Sequence, residues 1–388
     1  MTPKFPIYMD YHATTPVDPR VLESMLPFFS EQFGNASSID HLYGVQAAEV
    51  VESAREKTAK IIHARSDEII FTSGATESDN LAILGVMDKF SEKGDHLITC
   101  VTEHKAVLDT AKKLQEKGKS VTFLSVDQYG MVDPGDVVSA LTDKTVLISI
   151  MAANNEIGTI APLNEIGKIA HDNEVLFHTD AAQAVGHIPI DVNKMNIDLL
   201  SMSGHKIYGP KGVGALFIKG RNPKGRLTPQ LSGGGQERGV RSGTLNVPGI
   251  VGLGTALEIA GREMKDENVR FRKWTSQMYQ SFCEFHDDVK LNGHRTNRLA
   301  HNLNVSFGGI ESKALLHLIQ NDLAISAGSA CTTTSVEPSH VLKAIGLSEK
   351  YLFSAVRFGA GRFNSEGEIE IIIEKIDNSL KKIRNIKI

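Results

Sequence analysis

Apolar residues along this chain fall into two patterns. The first is a series of short runs, too short for helices and right for buried strands: Glu68–Thr72, Leu97–Thr102, Val121–Ser125, Val146–Ile150, Val175–Thr179, Asp198–Met202 and Gly214–Ile218. The second is helical spacing between most of those runs. After Ser73-Gly74, for example, Ile83, Val86, Met87 and Phe90 recur on one face. Such alternation predicts a mainly parallel sheet covered on both faces. Only Ser203–Val213 separates the last two runs, too little chain for a crossover helix, so one strand is expected to run antiparallel.

The pattern changes near Gly261. A long polar helix over Glu263–Phe285 is followed by short strands around Asn302–Phe307, a helix over Ser312–Asn321 and a loop of small residues. The chain closes with an amphipathic helix whose apolar stripe is Ile369, Ile373, Ile376, Leu380 and Ile383. The reading is an α/β protein of two domains. Residues 15–260 form a large domain with a mainly parallel seven-stranded sheet. Residues 1–14 and 261–388 form a smaller α+β domain.

Composition narrows the class. Apolar residues make up 41% and charged residues 23% of 388, as in ordinary soluble globular chains. A net charge of −4 gives no reason to expect nucleic acid or a membrane surface as a partner. No apolar run approaches the ~18 residues of a spanning helix, and the first residues lack the pattern of a secretory signal. Three dispersed cysteines argue against a disulfide framework and fit a reducing cytoplasm.

Candidate chemistry gathers where strands end. The run at Val175 leads into His178, Thr179, Asp180 and Gln183, and the run at Asp198 into Ser203, Gly204, His205 and Lys206. In open α/β sheets ligands sit beyond the carboxyl ends of the strands. An Asp and a Lys meeting there suit pyridoxal phosphate, the lysine forming a Schiff base and the acid keeping the pyridine nitrogen protonated. An ordinary buried ion pair is the alternative. Thr72–Ser78 leaves a strand and opens a helix, which makes either a phosphate cup or a plain cap. His104 follows the second strand, where it could stack on a ring and move protons, or be an ordinary hydrogen-bonded surface histidine. Asn155 closes the fourth strand, where it could bond a ring hydroxyl or a substrate carboxylate, or serve the backbone of an Asn-rich turn. The glycine-rich stretch Gly233–Thr244 reads as a flexible surface loop. Cys100 and Cys283 read as packing residues, whereas Cys331 lies among small and hydroxyl residues that would leave it exposed, as either a nucleophile or a chance surface thiol. Arg357, in an apolar strand-like setting, calls for a carboxylate partner, either a local acid or that of a substrate.

Together these segments resemble a known family. Met9–Pro16 (MDYHATTP), Thr72–Asn80 (TSGATESDN), Thr102–Lys105 (TEHK), Asn154–Gly158 (NNEIG), His178–Gln183 (HTDAAQ), Ser203–Gly209 (SGHKIYG), Gly239–Leu245 (GVRSGTL) and Gly328–Thr332 (GSACT) occur in the order found in cysteine desulfurases of the NifS/IscS type. The resemblance spans nearly the whole chain. It implies the fold type I of pyridoxal-phosphate-dependent transferases and conversion of L-cysteine to L-alanine. Lys206 would carry the pyridoxal 5′-phosphate, Asp180 would pair with its ring nitrogen, Gln183 with its hydroxyl, and His104 would stack on the ring. Ala75, Thr76, Ser203 and His205 would hold the phosphate, with Thr244 reaching it from the other subunit of a homodimer. Asn155 and Arg357 would grip the substrate carboxylate, and Cys331 would take the sulfur as a persulfide.

The resemblance further implies a mobile cysteine loop over about 326–341. It implies delivery of sulfur to an acceptor protein, either an iron–sulfur scaffold or a tRNA-thiolation relay, in the cytoplasm. No resident metal is implied, beyond Cys331 as a transient ligand of an iron–sulfur cluster. A selenocysteine lyase or another aminotransferase-like enzyme is the alternative. The chain ends at Ile388 directly after its last helix, so docking through an extended C-terminal tail is not expected.

Overall fold

The computed structural model describes residues 5–222, 225–327 and 338–386. A short strand, β1 (Ile7–Tyr8), precedes helices α1 (Pro19–Met25), α2 (Pro27–Ser30) and α3 (Leu42–Ile61). Strand and helix then alternate: β2 (Ile69–Thr72), α4 (Ala75–Lys89), β3 (His96–Cys100), α5 (Lys105–Glu116), β4 (Ser120–Leu124), α6 (Pro134–Ala140), β5 (Thr145–Ser149), α7 (Leu163–Asp172), β6 (Leu176–Asp180), β7 (Leu199–Ser203) and β8 (Gly214–Ile218). Strands β2 to β8 form one seven-stranded sheet in the order β2-β8-β7-β6-β5-β3-β4. Strand β8 runs antiparallel to both neighbours and every other pairing is parallel, as the short β7–β8 connection requires.

Both faces of this sheet are buried, and alternate residues supply them. Phe71, Ile98, Ile148, Phe177, Leu200 and Phe217 face a core shared with α1, α3, α7 and the following long helix, while Ile70, Leu97, Leu147, Leu199 and Leu216 face α4 and α5. Period-two alternation with apolar residues on both faces is what makes each run look continuous.

The long helix α8 (Val247–Phe285) starts well before the expected Glu263. Gly249, Gly252 and Gly254 weaken the helical pattern of its first half, yet they serve close packing. A side chain at Gly254 would come within 2.8 Å of Ala54 Cα, and one at Gly252 within 2.5 Å of Met25 Sδ. The helix passes unbroken through position 261. Leu253 and Leu257 pack in the core of the large sheet, and Phe271, Trp274, Met278 and Phe282 in a second core.

That second core lies against a four-stranded sheet in the order β12-β13-β10-β9. Its strands are β9 (Val289–Leu291), β10 (Asn302–Phe307), β12 (Ser326–Ala327) and β13 (Ala355–Gly359), and β11 (Leu323–Ala324) pairs with β1. Helices α9 (Ser312–Ile319), α10 (His340–Ala344), α11 (Glu349–Leu352) and α12 (Glu366–Ile386) complete the chain. In α12 the fully buried stripe contains Ile372 in place of the expected Ile373, which is only partly covered. Cys283 is a further correction: it lies on the exposed face of α8, whereas Cys100 is buried in β3.

The stretch read as a flexible loop, residues 233–244, is pinned. Glu237 is buried and accepts both Arg55 Nη1 and Nη2 at 2.8 Å, and its Oε2 also accepts the Phe71 amide at 2.7 Å. Arg241 Nε donates to Glu77 Oε1 at 2.7 Å. A glycine run reports backbone freedom but not the acid beside it that fixes the loop. Breaking a buried pair from one side leaves the other charge uncompensated, so Glu237→Gln is expected to cost about 3–5 kcal/mol. The check is a lower urea midpoint with unchanged slope.

Candidate active site

The carboxyl ends of β2, β3, β6 and β7 open on one crevice of about 560 Å³. Its walls include Ala75, Thr76, His104, Asn155, Asp180, Gln183, Ser203, His205 and Lys206. Each arrives from a strand end or the turn after it, so the topology brings together residues far apart in sequence.

Lys206 closes a 3-10 turn that follows β7 (Gly204–Lys206). Its Nζ donates to the backbone carbonyls of His12 at 2.6 Å and Ala13 at 2.8 Å. Burial, reinforced by the nearby Arg357, lowers the amine to about 8, against an opposing pull from Asp180. A lysine so placed is partly neutral near physiological pH and able to act as a nucleophile.

Asp180 is the last residue of β6. Its Oδ1 accepts the Ala182 amide at 2.9 Å. Burial raises its proton affinity, which Ala182, His104 and Lys206 only partly offset. No side-chain cation is bonded to this carboxyl among the described residues. Behind it lie two further buried acids, Asp79 and Glu103. Glu103 Oε1 accepts the Met151 amide at 2.6 Å, while its Oε2 and both oxygens of Asp79 have no hydrogen-bond partner among the described residues, His178 Nε2 standing 3.6 Å from Asp79 Oδ1. Burial, and then the charge of Asp180, holds Asp79 well above the ordinary carboxylate range. His178, next to it, is driven down to about 3 by burial and is neutral, its ring nitrogens 2.8 Å from Ser149 Oγ and 3.0 Å from Ser201 Oγ. Sequence reasoning gives Asp79 and Glu103 no role. Glu103 follows a buried strand in a short polar motif, the one signal that could have singled it out.

His104 caps α5, its Nδ1 accepting the Ala106 amide at 3.2 Å. That contact assigns the proton of the neutral ring to Nε2. Burial lowers its basicity, partly opposed by Asp180. His205 Nδ1 lies 3.0 Å from Thr14 Oγ1, and burial with Lys206 and Lys211 pushes it down to about 4. Gln183 is held by His12, whose Nδ1 lies 3.0 Å from Gln183 Oε1 and whose carbonyl accepts Gln183 Nε2 at 3.0 Å. His12 also stacks on His301 at 4.4 Å between ring centroids.

The remaining wall is built for an anion. Helix α4 begins on Gly74, which offers no side-chain cap, so its first amides are open to an incoming ligand. Gly214 of β8 allows the close approach: a side chain there would meet Gly74 Cα at 2.6 Å. Gly158, at φ 74°, closes the Asn154 turn where a side chain would strike Asn302 within 2.6 Å.

Three residues singled out from the sequence do not line this crevice. Arg357 lies behind Asn155, donating from Nη1 to the Asn155 carbonyl at 3.0 Å and from Nη2 to Asp10 Oδ1 at 2.7 Å. Of the two partners open to it, the local acid is thus the one present. Thr244 is exposed on the pinned loop and away from the crevice of its own chain. Cys331 lies outside the described residues.

Comparison with known proteins places this geometry in context. The family model for aminotransferase class-V matches residues 7–372. A protein of Anaeromyxobacter dehalogenans (strain 2CP-C) named cysteine desulfurase IscS is 51% identical over 383 residues, 99% of this chain and 94% of that protein. One of the same name from Rickettsia rickettsii (strain Iowa) is 50% identical over 393 residues, with the same coverage of both. Among solved structures, a NifS-like protein superposes with a TM-score of 0.90 at 38% identity, covering 97% of this chain and 99% of that one. A structure described as SspA in complex with cysteine gives 0.81 at 40% identity, covering 92% of this chain and all of that one.

The lowered amine of Lys206 has a direct consequence. Capture of an aldehyde needs the neutral amine, so uptake of a pyridoxal-type aldehyde by the apo chain should speed up with pH and level off just above about 8. Stopped-flow absorbance checks this; a rate still climbing near pH ~10 would mark an unperturbed lysine.

Proposed function

The chain belongs to the class-V aminotransferase family, among its cysteine desulfurases, and from that premise we propose that the crevice holds pyridoxal 5′-phosphate and L-cysteine and passes the substrate's sulfur to Cys331. The observation that carries this reading is the juxtaposition of Lys206, Asp180 and the uncapped start of α4 on one crevice.

The residues fit the cofactor. Lys206 would hold its aldehyde carbon. Asp180, buried and with no cation bonded to it among the described residues, is matched to a protonated ring nitrogen, which would satisfy the carboxyl. Ala75, Thr76, Ser203 and His205 would take the phosphate at the start of α4, where amides and the helix dipole favour an anion. His104 would lie against the ring, and one amide hydrogen of Gln183 stays uncommitted for its hydroxyl. When bound, the cofactor supplies the carbonyl that captures the substrate amine and the ring that accepts electrons released at the α-carbon.

The chain's own groups do the rest. Asn155 and Arg357 orient the substrate carboxylate. Lys206 Nζ, lowered in basicity, would take up the α-proton and return a proton to the product. The Cys331 thiolate attacks the substrate sulfur, so an S–S bond forms as the C–S bond breaks. The sum balances: L-cysteine and the Cys331 thiol become L-alanine and a Cys331 persulfide. Neutral His104 has its Nδ1 committed to Ala106. It therefore serves this transfer as a hydrogen-bond donor at Nε2, which stabilises thiolate sulfur, rather than as a free base.

Two further features support the wider reading. Leu22, Leu26, Phe29, Phe33, Ile39 and Leu42, on α1, α2 and the approach to α3, are all large apolar residues left exposed, Ile39 at 72%. Large apolar residues left exposed this closely along the chain fit an interface, and a homodimer would cover them. The exposed Thr244 is then free to reach the phosphate of the partner subunit. The persulfide would pass to an acceptor protein in the cytoplasm, an iron–sulfur scaffold or a tRNA-thiolation relay.

Cys331→Ser should keep the visible cofactor band yet form no persulfide and no L-alanine from L-cysteine. Mass analysis of the 331 peptide with product assay reads this directly. Continued desulfuration would transfer the acceptor role elsewhere, and persistent transamination alone would favour an aminotransferase.

A further inference from the structure

Arg357 is a node from which two routes lead to the residues flanking Cys331. On β13 it stands directly across from Ser326 of β12, the last strand before residues 328–337. Asp10 bridges the pair, Oδ1 accepting Arg357 Nη2 at 2.7 Å and Oδ2 accepting Ser326 Oγ at 2.7 Å. On the other route Arg357 Nη1 holds the Asn155 carbonyl. The next residue, Glu156, accepts Ser339 Oγ at 2.5 Å, and Ser339 caps α10 just past that segment. The guanidinium is incompletely used: its Nε is buried with no partner among the described residues.

We propose that Asp10 is a positioning residue that holds Arg357 ready for the substrate carboxylate and carries the occupancy of that guanidinium through Ser326 to the chain leading to Cys331. The proposal rests on the reading of Arg357 as the carboxylate site. A guanidinium offers five N–H groups, and a carboxylate binds best when it takes two in parallel. Asp10 takes one, so Arg357 is oriented without being saturated. A substrate carboxylate arriving at the same guanidinium draws on its charge and repels the Asp10 carboxylate, weakening the bond from Oδ1. Because the other oxygen of Asp10 is bonded to Ser326, movement of that carboxyl acts on β12. Substrate binding and presentation of the thiol then share one carboxyl group.

The test uses the cofactor-loaded full chain and L-alanine, which has the carboxylate and amine of the substrate but no sulfur to give up. Its affinity is read from the change in cofactor absorbance. The reactivity of Cys331 is read by peptide mass after brief iodoacetamide treatment, with exposed Cys283 as internal reference. Saturating L-alanine should change the Cys331 alkylation rate by about five-fold or more in the unaltered protein, the usual range for coupled sites.

Ser326→Ala should keep L-alanine affinity within about two-fold and reduce that response to under about two-fold. Asp10→Asn, which keeps the shape but removes the competing charge, should bind L-alanine up to about five-fold more tightly and also lose the response. A response of unaltered size in both variants, or none in the parent protein, overturns the proposal. Arg357→Lys separates the two ideas. If it leaves L-alanine affinity unchanged, Arg357 is not the carboxylate site and both fall. If it weakens binding while the other two variants respond like the parent, the coupling alone falls.

Discussion

A carboxyl group taken out of water needs a positive partner or a proton, and among the described residues Asp180 is left by the fold with neither a bonded lysine nor an arginine. Lys206, whose charge acts on this carboxyl, is turned onto the carbonyls of His12 and Ala13. The acids behind Asp180 do not meet the demand, because Asp79 and Glu103, buried beside it and held well above the ordinary carboxylate range, offer no positive charge. A site built this way is complementary to a ligand that brings its own cation, flat enough to lie against His104 and anionic at the end that meets α4. The unmet requirement of Asp180 organises the crevice more than any contact already made within it.

Much of this is legible in the chain because strand ends are legible. Seven apolar runs place seven strands, and the polar residues trailing β3, β6 and β7 have to project from one edge of a parallel sheet. Local pattern fails where long-range contacts decide. Glu237 looks like one polar residue in a glycine-rich loop, and only its bidentate pair with Arg55, 182 positions away, shows why that loop is rigid. The first half of α8 escapes the pattern because glycines suited to contact with α1 and α3 dilute its periodicity. Asp79 draws no notice because the start of a helix is an ordinary place for an acid, and nothing local reveals that it is buried.

Arg357 shows a different limit. Its apolar neighbours correctly imply a carboxylate partner, but sequence distance gives no preference between an internal acid and a ligand. The structure answers with Asp10, 347 positions earlier, and leaves part of the guanidinium unused. An internal carboxylate on an arginine proposed to take a substrate carboxylate is a compromise. It keeps a largely covered cation neutralised while the crevice is empty, and by taking a single N–H it leaves the residue able to accept a second carboxylate.

The segment from Asp10 to Thr15 explains why both requirements can be met in one place. It lies between the two sheets and bonds to each. Toward the large sheet, His12 and Ala13 receive Lys206, Thr14 meets His205, and Thr15 Oγ1 both donates to the His205 carbonyl and accepts the Tyr208 amide. Toward the small sheet, His12 Nε2 lies 3.1 Å from Asn302 Nδ2, Asp10 holds Arg357 and Ser326, and the backbone bridges to Gly359. A side chain at Gly359 would come within 2.9 Å of the His12 ring, so the approach depends on that glycine. Small and hydroxyl residues suit such a seam, since they bond to backbone on both sides without holding the sheets apart. The first strand of the chain, paired with β11 near its far end, thereby fixes the distance between the amine at 206 and the strand that leads to the thiol at 331.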